Sequence, residues 1–267
     1  MGRFGRGLRL ARTSLRVVEA DPVIVLVLFA GLVGTVGLSG GLYLALFRRL
    51  PTEHDLTFPH DLVAMPVLWF GSIVSSYCAV IVAVMADHRL CGGTPRVADG
   101  IAAANARLAR ILIWTLLSIG VGMALQVIAE RLKFGWLASR LLGFTWGVAT
   151  TFVVPVLALE DVSVRESVRR SATIFRARWG ESVVADGAIG VVFFVALIPV
   201  VALIVAVAMV SVPAAVAVGI LLVGLLVLVS SALDAVVDVA LYRYAVDGTA
   251  VGGYTIADLE ESFRSKR

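Results

Sequence analysis

Cysteine is nearly missing from this chain. Cys78 and Cys91 are its only two, and they form no Cys-x-x-Cys pair, so neither a disulfide framework nor a zinc site is indicated. Histidine is also scarce, at three residues. No Ser-His-Asp set, paired carboxylates or His-x-x-Glu-His helix is visible, and no stretch is long enough to build a soluble catalytic domain. A non-enzymatic protein with no cofactor and no metal is therefore expected. Charge is sparse as well, at 16% of residues, which excludes an ordinary soluble globular domain, where about a quarter are charged.

What the sequence has instead is apolar bulk, 60% of all residues. A bilayer core of about 30 Å needs roughly 20 apolar residues per helical crossing. Six uncharged runs approach or exceed that length: Pro22 to Phe47, Leu62 to Ala86, Ile111 to Ala129, Leu141 to Leu159, Gly187 to Met209, and Ala214 to Leu233. The first is too long for a cleavable signal, lacks a small-residue cleavage pattern and follows a basic segment, so it is expected to stay in the mature chain. The fold class is all-α, an integral membrane bundle of six transmembrane helices forming one domain over residues 1–267.

The formal net charge of +4 could suggest a nucleic-acid partner, but its distribution follows topology. With the N-terminus inside, 18 of the 23 Lys and Arg fall on the cytoplasmic side, and only Arg48, Arg49, Arg131, Lys133 and Arg140 fall outside. Positive-inside bias accounts for that excess. Both termini are placed in the cytoplasm of a cell membrane, and no nucleic-acid partner is expected.

The cytoplasmic charges are patterned. In "RESVRRSATIFRARWGE", Val164, Val168, Ser171, Ala172, Phe175 and Trp179 fall on one stripe of a 3.6-residue repeat, edged by Arg165, Arg169 and Arg176. Ser163-x-x-Glu166 matches a capping box and Gly180 suits the helix end. Such a helix can lie in the headgroup plane, apolar face down, arginine stems reaching phosphates. The design recurs. Near the N-terminus Phe4, Leu8, Ala11, Leu15 and Val18 form a stripe flanked by Arg3, Arg6, Arg9, Arg12 and Arg16. Between the second and third runs, Thr94 caps, Pro95 takes the first helical position, and Val97, Ile101, Ala104, Leu108 and Ile111 align beside Arg107 and Arg110. Three amphipathic interfacial helices are thus predicted on the cytoplasmic side, dividing the chain into three candidate units, 3–86, 96–159 and 163–242. Their expected partners are anionic lipid headgroups or another membrane protein, through Arg9, Arg12, Arg16, Arg107, Arg110, Arg165, Arg169, Arg176 and Trp179.

Ionisable residues at span ends mark a second candidate region. Asp186, Asp234 and Asp238 lie at the cytoplasmic boundary, and Asp234, Asp238 and Tyr242 share a helical face. They are expected to pair with arginines of the surface helices; the alternative is a polar cluster serving a small-solute or lipid transporter. Pro155 and Pro199 could break their spans, as transporters do at midplane, but no charge accompanies either. Gly31, Gly34, Gly37, Gly41 and the pair Gly143 and Gly147 are read as points of close helix approach, and Thr115, Ser118, Thr150 and Thr151 as bonding within their helices or to a neighbour. The outer loop offers Glu53, His54, Asp55, His60 and Asp61, donor types that metals accept, at no known ligand spacing. A solvated loop is the reading adopted. "CGGTPR" lacks the lysine of a phosphate loop.

With that unit in hand, "LEDVSVRESVRRSATIFRARWGE" and "VALYRYAVDGTAVGGYTIADLEESF" resemble a multi-pass family of uncharacterised archaeal and bacterial membrane proteins. More distantly, they are similar to the membrane domains attached to some glycerophosphodiester phosphodiesterases. Glu160, Ser167, Ser171, Trp179 and Gly180, with Ala240, Leu241, Tyr242, Tyr244 and Gly248, carry the resemblance. It implies a membrane-embedded helical fold and supplies no activity to transfer; hydrolysis is not carried over, because the catalytic phosphodiesterase domain is absent here.

Overall fold

The computed structural model describes residues 13–47, 60–132, 135–179, 188–248 and 251–253. Among them there is no strand. Helix follows helix: α1 (residues 13–20), α2 (Val23–Phe47), α3 (His60–Leu90), α4 (Val97–Ala106), α5 (Leu108–Arg131), α6 (Gly135–Thr150), α7 (Val153–Leu159), α8 (Val164–Trp179), α9 (Ala188–Ala208) and α10 (Val212–Asp247). Five described stretches are long and apolar enough to cross a membrane: Val23–Ala45, Pro66–Leu90, Leu108–Arg131, Gly135–Leu159 and Val212–Asp247. The fully described part of α9, Phe193–Ala208, is apolar but shorter. Large apolar side chains such as Leu26, Phe29, Val33, Phe194, Ile198 and Ile220 are exposed along these helices, an arrangement that water penalises and lipid does not.

Two boundaries differ from the periodicity reading. The helix expected to run from Pro95 through Ile111 starts at Val97 and stops at Ala106, and Arg107, at φ −110° and ψ 10°, separates it from α5. Arg110 and Ile111 therefore belong to the first turn of a spanning helix. The run Leu141 to Leu159 is likewise divided, between α6 and α7. Pro155 explains the second break: it sits in the first turn of α7, where a missing N–H and a fixed φ cost little, whereas mid-helix it would clash with the preceding turn. By contrast α9 continues through Pro199.

Residues pack into two compact units, one joining Met1–Leu28, Met85–Arg96 and Ile174–Arg267, the other Phe29–Val84 and Val97–Thr173. In the first, α9 and α10 form a hairpin. Burial along α10 is uneven. From Val212 to Ser231 only Ala215 and Leu228 are buried, whereas Ala232, Leu233, Val236, Val239, Ala240 and Leu241 all are. Ion pairs cluster near that buried end: Arg243 holds Asp87 through Nε to Oδ1 at 2.6 Å and Nη2 to Oδ2 at 2.8 Å, and Asp247 through Nη1 at 3.2 Å. Arg89 Nε lies 2.8 Å from Asp21 Oδ2.

In the second unit, small residues set how closely helices approach. A Cβ on Gly31 would lie 2.8 Å from Cys78 Sγ, and one on Gly71 would lie 2.8 Å from Ser39 Oγ. Ser39 Oγ in turn donates to Val67 O at 3.2 Å. Gly37 and Gly41 have no such neighbour among the described residues. At Gly100 of α4 a Cβ would meet Ile81 Cγ2 at 2.7 Å and Ile81 O at 3.1 Å. Side-chain hydroxyls of Thr115 and Thr150 donate to carbonyls of their own helices, and that of Thr151, in the turn after α6, donates to Gly147 O, which removes the desolvation cost of polar groups in spans. Ser118 Oγ is buried with no partner among the described residues.

Candidate functional site

The α7–α8 corner gathers most of the sequence-predicted basic residues that can be placed. Ser163 Oγ accepts the backbone N–H of Glu166 at 3.3 Å, and α8 opens there as the capping pattern predicts. One side of α8, Val164, Ser167 and Ser171, is buried, while Arg165, Glu166, Arg169 and Arg176 are exposed. The stripe does not lie bare on lipid at its start. Val164 belongs to a core cluster with Trp114, Val153 and Leu157, and Val168 packs against the same cluster. An apolar stripe on a helix requires an apolar partner without specifying which, and here the neighbouring helices supply it. Trp114 stacks on Trp146 with ring centroids 6.2 Å apart.

The residues that carried the family resemblance in this region have structural work. Phe152, at the α6–α7 break, donates its N–H to Ser171 Oγ at 3.1 Å, both groups being buried. Ser167 Oγ donates to Ser163 O at 3.0 Å. Glu160 pairs with Arg170 at 3.0 Å, and Asp161 accepts from Arg110. Sequence reading missed these pairs because nothing in the spacing brings α5 to the corner; the only signal was Pro155.

Arg107 donates from Nη1 to Ala103 O at 3.2 Å, and its Nε is buried without a partner among the described residues. Arg169 approaches Glu166 at 4.0 Å, a weak exposed pair. Arg16 is exposed on α1, and Trp179 closes α8. Arg9, Arg12 and Asp186 lie outside the described residues, as do Gly180 and the loop acids and histidine at positions 53–55.

The second region is divided. Asp234 and Asp238 stand one turn apart on α10, Asp234 exposed and Asp238 partly so. The arginine partners expected for them are not found among the described residues; the acids that do pair are Asp21, Asp87, Glu160, Asp161, Glu166 and Asp247. Tyr242 is buried on the same helix. No group of three or more His, Cys, Asp or Glu among the described residues is placed to hold a metal.

Long apolar helices with exposed apolar flanks, charges gathered at helix ends and polar groups bonded within their own helices define a multi-helix membrane protein. The chain belongs to a family of unknown function, DUF6159, whose model matches residues 62–253. That match contains the whole α7–α8 corner and the ion-paired end of α10. No curated protein and no solved structure matches the chain, and nothing in these comparisons supports the distant similarity to glycerophosphodiester phosphodiesterase membrane domains.

Proposed function

We propose that this is a non-enzymatic protein of the cell membrane with six crossings, α9 supplying the sixth, and with both termini in the cytoplasm, where a basic face engages anionic lipid headgroups or a partner membrane protein. One observation carries the reading: Arg165, Arg169 and Arg176 are exposed along α8 while its opposite side is anchored in the core near Trp114. An anchored helix presents its guanidinium groups without the entropy cost of ordering a free segment. Each basic residue near an anionic leaflet contributes about 1 kcal/mol, so the three together contribute about 3 kcal/mol, attenuated by salt. In this reading α4 and α8 lie at the headgroup level, and their lipid contacts run through arginine stems as much as through the apolar stripe.

The test is lipid retention. Protein purified from membranes containing phosphatidylglycerol should carry less of that lipid when Arg165, Arg169 and Arg176 are all changed to Gln, and should keep it when they are changed to Lys. Equal retention by the Gln variant would remove the basis for the proposal.

A transporter is the second reading, favoured by the unpaired state of Asp234 and Asp238 among the described residues. In that case Asp234→Asn with Asp238→Asn would abolish a solute or lipid flux measured in proteoliposomes. Undiminished flux would end it.

A further inference from the structure

At 36 residues, α10 is about 54 Å long at 1.5 Å per residue, far longer than the roughly 30 Å hydrocarbon core. One end must leave the lipid, and the chemistry of the two ends decides which. Asp234, Asp238, Arg243 and Asp247 occupy the C-terminal part. At the other end, the turn joining α9 to α10 presents Met209, Val210 and Val212 at 87%, 89% and 66% exposure, and no charged residue occurs anywhere from Gly187 to Leu233.

Most amides of that turn bond within it. Met209 N donates to Val205 O at 3.2 Å, Val210 N to Val207 O at 3.0 Å, and Ser211 N to Val207 O at 2.8 Å. Ser211 Oγ accepts from Ala214 N at 3.5 Å, Ala215 N bonds Ser211 O at 3.0 Å, and Pro213 has no N–H to satisfy. Caps of this kind also close helices in water, but a turn held in lipid requires them, because no water reaches its amides.

We propose that the α9–α10 turn ends inside the far leaflet, with Met209, Val210 and Val212 set against acyl chains at the headgroup boundary, and that all the surplus length of α10 projects from the opposite face. The arm lengths agree. The 21 residues of α9 span about 31 Å, and Val212 to Leu233 spans about 33 Å, so each arm matches the core and only Met209, Val210 and Ser211 stand between them. The occupant is lipid rather than a protein, because the tip offers no hydrogen-bonding side chain but Ser211, whose hydroxyl caps α10. The turn between α5 and α6 differs: Glu130 and Arg131 sit beside Leu132, itself 57% exposed. This inference is independent of the role given to the α8 arginines.

The experiment uses full-length protein with Cys78→Ala and Cys91→Ser, carrying a spin label at Val210→Cys or, separately, at Met209→Cys, in phospholipid nanodiscs. Both labelled sites are exposed, so the changes leave packing intact. Collision with oxygen should dominate at both positions, and collision with a water-soluble nickel chelate should be several-fold lower than at Leu132→Cys. Nickel access equal to that at Leu132 would overturn the proposal. So would low access to both reagents with dipolar broadening, which would mean a second copy covers the tip.

Discussion

Asp87 and Arg243, 156 positions apart in the chain, meet as a two-point pair, with the guanidinium Nε and Nη2 each directed at one carboxylate oxygen. Asp87 is buried and Arg243 is 30% exposed. The pair joins the end of α3 to the end of α10. Removing the guanidinium leaves a buried carboxylate without its counter-charge, a change that costs about 3–5 kcal/mol in fully buried pairs and about 2–3 kcal/mol here, where water still reaches the arginine. Arg243→Met should lower the thermal unfolding temperature in detergent markedly. Arg243→Lys should recover only part of the loss, because an ammonium cannot reproduce the fork. An unchanged transition for the Met variant would show that the pair contributes nothing.

Ser171 serves one buried backbone amide. Ser171→Ala removes the hydroxyl that accepts the buried Phe152 N–H and should destabilise by about 1–3 kcal/mol. Ser167→Ala should cost less, since the carbonyl it bonds, Ser163 O, already accepts the Ser167 N–H at 2.8 Å. Chemical denaturation of the two variants side by side would check this order, and the reverse order would refute the capping role.

Gly100 fits where no other residue does. The Cβ of Gly100→Ala would come within 3.1 Å of a backbone oxygen, which cannot move aside as a side-chain tip can. Overpacking of this kind costs about 1–3 kcal/mol, more than the helix-propensity gain of alanine over glycine, about 1 kcal/mol. Net destabilisation by alanine is expected in a melting experiment, and stabilisation would mean that α4 lies further from α3.

Trp114 anchors the start of α8. Trp114→Ala removes the ring that Val153, Leu157 and Val164 pack around, at a cost of about 3–5 kcal/mol. Loosening of α8 should follow, read as faster tryptic cleavage after Arg165 and Arg169. If cleavage is no faster, α8 is held by other contacts.

The sequence alone determined the helical class, the membrane setting and the approximate position of every long apolar helix, because a bilayer thickness imposes a length and composition on each crossing that no other environment does. It also determined where α8 begins, since Ser163 and Glu166 form a local signal that needs no distant partner. Tertiary structure decided the rest. The stripe of α8 was legible as apolar, but its contact with the Trp114 cluster depends on α5 and α7, which periodicity cannot bring together. Likewise, which acids find arginines was invisible: Asp87 and Asp161 pair across the fold, whereas Asp234 and Asp238, the more conspicuous acids in the sequence, do not among the described residues. Spacing along a chain reports which face a side chain takes on its own helix, and only packing decides what stands opposite that face.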